Sequence, residues 1–310
     1  MGQLIDGRWH RGAVDRGDES GAYRRSDSAF RARVTADGSS DFPAEAGRYH
    51  LIVSPACPWS HRTMLLRMLK RLEGVVSMNA VEPLMLEDGW TFAEPDPVTG
   101  ARRLYEVYAA ARRDYTGKAS VPVLWDRQRR TIVNNESSEI IRMFNREFAA
   151  FTAERTDYYP APLAAQIDAI NERVYREVND AVYRAGFATR QEIYEREVTQ
   201  LFSALDWLEA HLDAHECLVG NQLTEADWRL LPTLVRFDAV YFGHFKCNRR
   251  HVYQYPALWR FVRRLYAVPG VAATVDIDHY KRHYYGSHRS INPNGIVPVG
   301  PDIDFRASKL

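Results

Sequence analysis

The stretch Ser54-Pro55-Ala56-Cys57-Pro58-Trp59-Ser60-His61-Arg62 decides how this chain is read. An apolar segment, Tyr49-His50-Leu51-Ile52-Val53, leads into it. Thr63-Met64-Leu65-Leu66-Arg67-Met68-Leu69 follows with the spacing of a helix face. A cysteine therefore stands where a strand ends and a helix begins. Backbone N–H groups and the positive end of the helix dipole collect at such a junction, and both favour a thiolate over a thiol. Pro58 falls at an early helical position, where its missing N–H costs nothing. Ser60 occupies the position at which a second thiol would close a Cys-x-x-Cys pair. A mixed disulfide on Cys57 must then wait for an external thiol, an arrangement that suits glutathione chemistry.

Beyond this junction the pattern reads as alternating elements. Arg48 to Ser54 reads as a buried strand, Pro58 to Leu72 as a helix, and Val75 to Val81 as a second strand. An irregular Gly/Pro stretch follows, then a helix with Leu104, Val107, Tyr108 and Ala111 on one face. Val121 to Asp126 and Thr131 to Val133 read as strands joined by a polar turn, and Glu136 to Phe148 as a closing helix. The order β-α-β-α-β-β-α is that of a thioredoxin-like unit. Helical periods dominate afterwards: Leu163, Ile167, Ile170, Val174 and Val178 mark one helix, and Val198, Leu201, Phe202, Leu205, Leu208 and Leu212 another. A third opens at Thr224, where Thr224 and Asp227 have capping-box spacing and Leu223 can staple onto Trp228. Later helices are predicted near 257–267 and 270–283. The predicted organisation is an extended N-terminal arm over 1–45, a thioredoxin-like domain over 46–152, an all-helical domain over 160–285 and an irregular tail over 286–310. Trp9, Tyr23, Phe30 and Phe42 are the arm's candidate anchors.

The bulk numbers set limits. The 310 residues suffice for two packed domains, and 45% hydrophobic with 26% charged residues is ordinary for a globular protein. A formal charge of +1 gives no overall field for nucleic acid or an anionic membrane. The three cysteines are an odd count without metal-site spacing, which argues for a reducing compartment. Residues 1–10 lack the apolar core of a secretory signal, and no apolar run approaches the ~18 residues of a membrane helix. A cytoplasmic protein without metal, membrane or nucleic-acid partners is expected.

Six segments, in order, resemble one family: Cys57-Pro58-Trp59-Ser60-His61-Arg62-Thr63, Val121-Pro122-Val123-Leu124-Trp125-Asp126, Asn134-Asn135-Glu136-Ser137-Ser138-Glu139-Ile140, Asn179 to Ala188, Arg236 to Asn248, and Tyr284-Tyr285-Gly286-Ser287-His288. That family is the glutathionyl-hydroquinone reductases, the Xi class of glutathione transferases, related to the omega-like enzymes. The resemblance runs from Tyr23 to Pro301. Ser60 departs from it, since alanine is common there in the family.

The resemblance implies a reductase that removes glutathione from glutathionyl-hydroquinones through a Cys57–glutathione mixed disulfide, with glutathione as co-substrate, no permanently bound cofactor, and a homodimeric assembly. It implies that Cys57 is the nucleophile and Tyr183 the general acid/base. Tyr241 and Tyr284 would lower the Cys57 pKa and orient the substrate, the three tyrosines meeting over the cysteine. It assigns glutathione binding to Trp90, Lys118, Val121, Pro122, Glu136 and Ser137. In that picture Val121–Pro122 is a cis peptide and the Val121 backbone pairs with the cysteinyl group. Glu136-Ser137 takes the γ-glutamyl end, and Lys118 the glycyl carboxylate, without the bidentate fork of an arginine. Read on sequence alone, Glu136-Ser137 is a routine first turn capped by Asn134 or Asn135, and Trp90 a packing anchor. Cys217 and Cys247 read as packing residues; His61, Arg62, His279 and His283 read as helix-surface or solvated. Two rival functions remain at this stage. A conjugating transferase would need a hydroxyl such as Ser60 to hold glutathione's own thiolate. A non-catalytic transferase-like interaction module would need neither Cys57 nor the tyrosines.

Overall fold

The computed structural model describes residues 2–12 and 20–306. They fall into two compact units, one within Met1–Asp15 and Ser26–Thr156, the other within Arg16–Arg25 and Asp157–Leu310.

In the first unit, Gly2–Ile5 (β1) and Arg8–Arg11 (β2) form a hairpin, and Val34–Thr35 (β3) pairs with Phe42–Pro43 (β4). Then come Tyr49–Val53 (β5), Pro58–Leu69 (α1), Ser77–Ala80 (β6), Leu104–Ala111 (α2), Val123–Asp126 (β7), Thr131–Asn134 (β8) and Ser137–Arg146 (α3). The four-stranded sheet has the order β6-β5-β7-β8. β5 runs parallel to β6, as the α1 crossover requires, and antiparallel to β7. Every residue of β5 is buried, because helices cover both faces of this central strand. Ile52, Val123, Trp125 and Ile132 share one core with Leu104, Val107 and Tyr108 of α2. α1 and α3 pack together as a pair. A buried bidentate pair ties the start of β5 to the end of β7: Arg48 Nε and Nη2 lie 3.0 and 2.6 Å from the Asp126 carboxylate.

The arm is more ordered than its composition predicted. Asp6 (φ 47°) and Gly7 (φ 73°) form a two-residue turn with both residues left-handed, the geometry that joins twisted strands without splaying them. β1 also pairs with Gly117 (Leu4 N–H to Gly117 O, 2.9 Å, and the reverse bond, 2.9 Å). Trp9 stacks on Tyr105 at 4.6 Å and donates to Glu87 O. Phe30 and Phe42 are buried in the same unit, whereas Tyr23 stacks on Phe187 of the second. The part of the predicted arm at 13–19 and the end of the predicted tail at 307–310 lie outside the described residues.

The second unit is helical: Ala164–Val174 (α4), Ala181–Gly186 (α5), Gln191–Ala214 (α6), Glu225–Arg236 (α7), Pro256–Tyr266 (α8) and Ile277–Ser287 (α9). The Thr224 cap forms as predicted. Thr224 Oγ1 accepts from Ala226 N–H, and Asp227 accepts from Thr224 N–H at 2.8 Å and from Leu218 N–H at 2.9 Å. Two predicted elements differ. The helix expected to run through Val178 leaves α geometry at a π turn, Tyr175–Asn179, closed by Asp180 N–H on Tyr175 O at 2.9 Å. A second π turn, Phe237–Tyr241, follows α7. Each inserts a residue into the helical repeat, and a period-based reading cannot see the resulting change of face. The helix predicted over 270–283 divides into a short turn, Val271–Thr274, and α9, because Asp276 caps a new start by accepting from His279 N–H at 2.9 Å.

Candidate active site

Cys57 is the N-cap of α1, with extended backbone (φ −77°, ψ 121°) and Pro58 directly behind it. Its side chain makes no cap hydrogen bond, and no acidic residue lies in the first turn of α1. The positive end of the helix is therefore left for an anion that reaches this turn. Cys57 is partly exposed. Its Sγ lies 3.6 Å from Val121 O, and Val121–Pro122 is cis, as predicted. Ser60 is fully buried, and its hydroxyl accepts from Ser54 N–H. That leaves it poorly placed for the conjugating role.

A second helix start lies in the same unit. Glu136, not Asn134 or Asn135, caps α3, which therefore begins one residue later than predicted. Its Oε1 accepts from Ser138 N–H (3.0 Å) and Ser138 Oγ (2.9 Å), and its Oε2 from Ser28 Oγ (3.1 Å). Burial works against this charge. The Ser138 and Ser28 hydrogen bonds and the nearby Arg62 cation outweigh it and hold the carboxyl below its ordinary range. Two carboxylate oxygens offer about four acceptor sites, so an ammonium could still be accommodated. Ser137 is buried beside it. Trp90, 7% exposed, joins the α2 core, and its carbonyl accepts from Leu104 N–H. Lys118 is half-buried, its carbonyl accepts from Tyr115 Oη, and its ammonium makes no ion pair among the described residues.

Three residues outside the predicted set bind these parts together. Tyr108 Oη donates to Ser120 O (2.7 Å), next to Val121; Asn135 Nδ2 donates to Tyr108 Oη (3.0 Å); and Asn135 Oδ1 accepts from Phe30 N–H. Ser28 completes the set through Glu136. The polar residues flanking the Glu136 turn were the only sequence signal for them. Two residues read as helix-surface or solvated are buried: His61 is fully enclosed, and Arg62 lies 4.4 Å over the Trp59 ring.

The helical unit brings Tyr183 (α5), Tyr241 (last residue of the second π turn) and Tyr284 (α9) together. The Tyr284 hydroxyl hydrogen-bonds both that of Tyr183 and, at 3.2 Å, that of Tyr241. Each hydroxyl can donate once and accept twice, so the three form a hydrogen-bonded series with Tyr284 in the middle. Tyr183 is 9% exposed, Tyr284 1% and Tyr241 0%, so the end that can reach a ligand is Tyr183. Phe245 fills the space between the rings, 5.4 to 5.6 Å from all three tyrosines. Cys217 and Cys247 are buried in this unit, as read from the sequence.

A buried histidine pair borders the trio. His244 Nε2 and His288 Nδ1 are 3.1 Å apart, and His283, also read as solvated, is buried against Tyr284. Burial, aided by Lys246, pushes His244 down to about 4; burial and the neighbouring histidines hold His288 well below its ordinary range. A depressed folded-state pKa means the unfolded chain binds the proton first. The stability is complete above the unfolded value of ~6.5 and is lost as pH falls through the folded one. For His244 alone the loss amounts to ~3 kcal/mol between about pH 6.5 and 4. The denaturant midpoint of the helical unit should fall over this window, and less steeply in His244→Gln. A flat midpoint between pH 6.5 and 4.5 would contradict the assignment.

The sequence profile described as glutathione S-transferase, N-terminal domain, matches residues 56–147, and that described as glutathione S-transferase, C-terminal domain, matches 191–264. The chain is 51% identical over 306 residues to the glutathionyl-hydroquinone reductase PcpF of Sphingobium chlorophenolicum, covering 97% of this chain and 96% of that one. It belongs to the Xi-class glutathione transferases, the glutathionyl-hydroquinone reductase family. The Escherichia coli glutathionyl-hydroquinone reductase YqjG is 50% identical, over 98% of this chain and 97% of its own. The glutathione-bound structure of YqjG superposes with a TM-score of 0.90 at 47% identity, covering 99% and 97% of the two chains. A Xi-class transferase from Natrialba magadii gives 0.92 at 44% identity, over 99% and 95%. The Xi-class fold thus places the Cys57 turn, the cis proline and the Glu136 turn within the unit that its N-terminal profile covers.

Proposed function

We propose that this chain is a glutathione-dependent reductase that removes glutathione from glutathionyl-hydroquinones, giving free hydroquinone and oxidised glutathione. The observation that carries the reading is Cys57: a lone, partly exposed thiol at a helix start, 3.6 Å from the carbonyl of Val121, with Ser60 where a second thiol would be. Such a sulfur can accept a glutathionyl group and cannot resolve it internally.

In this reading Glu136 and Ser137 hold the γ-glutamyl end of the tripeptide, the Val121 backbone its cysteinyl part, Lys118 its glycyl carboxylate, and Trp90 one side. Tyr183 gives its proton to the ring carbon bearing sulfur, while a hydroxyl of the conjugate releases its proton to water and becomes a carbonyl. The Cys57 thiolate then attacks the glutathione sulfur, the carbon–sulfur bond breaks, its electron pair turns the carbonyl back into a phenolate that takes a proton from water, and the hydroquinone leaves. A second glutathione attacks the mixed disulfide, which restores the thiolate and releases oxidised glutathione. Tyr241 and Tyr284 supply the hydroxyls bonded in series behind Tyr183, and through it they orient the ring and favour the thiolate. A homodimeric state, a cytoplasmic location and a place in quinone metabolism belong to the same reading. Among the described residues no helix is long and apolar enough to cross a membrane.

Intact-mass measurement tests the intermediate. After incubation with oxidised glutathione the protein should gain one glutathionyl group, located on Cys57 by peptide mapping and removed by free thiol. An unmodified Cys57 in protein that still turns over a glutathionyl-hydroquinone would defeat the proposal.

A further inference from the structure

When Tyr183 gives up its proton it becomes a phenolate, and the surroundings of its ring decide how costly that is. Tyr284 and Tyr241 face it from α9 and the second π turn, Phe187 and Phe245 pack on it, and buried Arg236 of α7 is close enough to act on it electrostatically. Arg236 stacks on Tyr280 at 3.8 Å and donates to Pro232 O. A second cation comes from outside the helices. Residues 20–25 belong to this unit, and Arg25 places its guanidinium carbon 4.8 Å from the Tyr183 ring centroid.

We propose that Arg25 is a positioning residue for Tyr183, its guanidinium stabilising the phenolate formed when Tyr183 protonates the conjugate. The cation is held there by design of the local ion pairs. Arg25 Nε donates to Asp180 Oδ1 at 2.9 Å, and Arg184 Nη1 donates to the other oxygen of the same carboxylate at 3.0 Å. Asp180 sits three residues before Tyr183, at the end of the first π turn, so the anchor and the acid share one backbone turn. The segment has further ties that do not involve the charge: Thr189 N–H donates to Gly21 O at 3.1 Å, and Tyr23 stacks on Phe187 at 5.2 Å. Losing the charge therefore need not release the segment. A cation over an aromatic ring is attracted even when the phenol is neutral; the attraction grows as negative charge develops, which is the condition for accelerating a step rather than merely tightening binding. Protons balance over the cycle. Tyr183 loses one to the ring carbon before the carbon–sulfur bond breaks and the Cys57–glutathione bond forms, the conjugate's hydroxyl gives one to water and takes one back, and Tyr183 regains one from the thiol of the second glutathione.

This inference rests on the role given to Tyr183 above, so Tyr183→Phe is measured beside it. Arg25→Met keeps most of the side-chain volume, and Asp180 retains Arg184 as a partner. In steady-state turnover of a glutathionyl-hydroquinone, Arg25→Met should lower kcat by about tenfold, the scale of a desolvated cation–π contact. KM for glutathione should change by less than about twofold, because only uniform binding moves KM alone. Arg25→Lys should recover most of kcat, since it restores the charge. The inference is overturned if Arg25→Met turns over at the wild-type rate, or if the methionine and lysine variants are equally slow, which would mark a packing role. Should Arg25→Met fail to fold, Arg25→Gln beside Arg25→Lys makes the same comparison. If Tyr183→Phe itself keeps full kcat, the role of Tyr183 fails and this inference with it; if Tyr183→Phe is slow while Arg25→Met is not, only this inference fails.

Discussion

Cys57→Ala is expected to lower turnover of a glutathionyl-hydroquinone by about a thousandfold or more, to the level of free glutathione in solution. Removing a covalent nucleophile typically costs several orders of magnitude, because what remains is binding and electrostatics around a missing atom. No other sulfur can substitute. Burial pushes the thiols of Cys217 and Cys247 up, and both are enclosed in the helical unit. Cys57→Ser should be equally inactive in this reaction, since a serine hydroxyl cannot form a disulfide. The fold should tolerate both changes: the Cys57 side chain makes no cap hydrogen bond, so alanine removes no helix-capping contact. A thermal melt checks that point and a spectrophotometric rate assay checks the first. A rate within tenfold of wild type in folded Cys57→Ala would remove the cysteine from the mechanism.

How far the chain could be read depended on the range of the interactions involved. The Cys57 junction was legible because strand, cysteine, proline and helix are contiguous, so local propensity and dipole act together. The sheet order followed from the run of elements, since a parallel β5–β6 pair needs the α1 crossover and a β7–β8 hairpin needs only a short turn. The network that fixes the Glu136 turn was not legible. Ser28, Tyr108 and Asn135 lie far apart in the chain, and nothing in their spacing distinguishes them from other polar residues. Asp6-Gly7 has the composition of a hairpin turn, but the strands it joins are only four residues each, too short for alternation to mark them. The three tyrosines were named through family resemblance. Their physical convergence depends on two π turns, which shift the helix faces in a way a 3.6-residue period does not report. His61, Arg62 and His283 were misread for a related reason. Charge suggests solvent, yet a cation such as Arg62 can be enclosed when an aromatic face and a carboxylate accompany it.

Gly186→Ala should damage the helical unit by way of one ring. A methyl group built on Gly186 would fall 2.2 Å from Cγ and Cδ1 of Phe245 and 2.7 Å from its Cβ. These distances are far inside van der Waals contact, and the ring is enclosed: the Tyr183, Tyr241, Tyr284 and Phe187 ring centroids lie 5.2 to 5.6 Å from its own, and His288 stacks at 6.0 Å. Overpacking of this kind costs about 1–3 kcal/mol, and the gain of replacing glycine by alanine in a helix, ~1 kcal/mol, offsets only part of it. The relief available is for Phe245 or α5 to shift, and either displaces the hydroxyl chain that ends at Tyr183. An ångström of misplacement can cost about a hundredfold in rate, so kcat should fall by about that factor. KM for glutathione should hold, because the residues proposed to bind it lie in the other unit. Phe245→Leu in the Gly186→Ala background opens the crowded space and should return stability relative to Gly186→Ala alone, a coupling that a double-mutant cycle reads directly. It should not return kcat, because the three hydroxyls would have lost the ring that spaces them. Recovery of both together would mean that the tyrosines hold their geometry without Phe245, and that the hydroxyl chain rather than the packing beneath it sets the position of the acid.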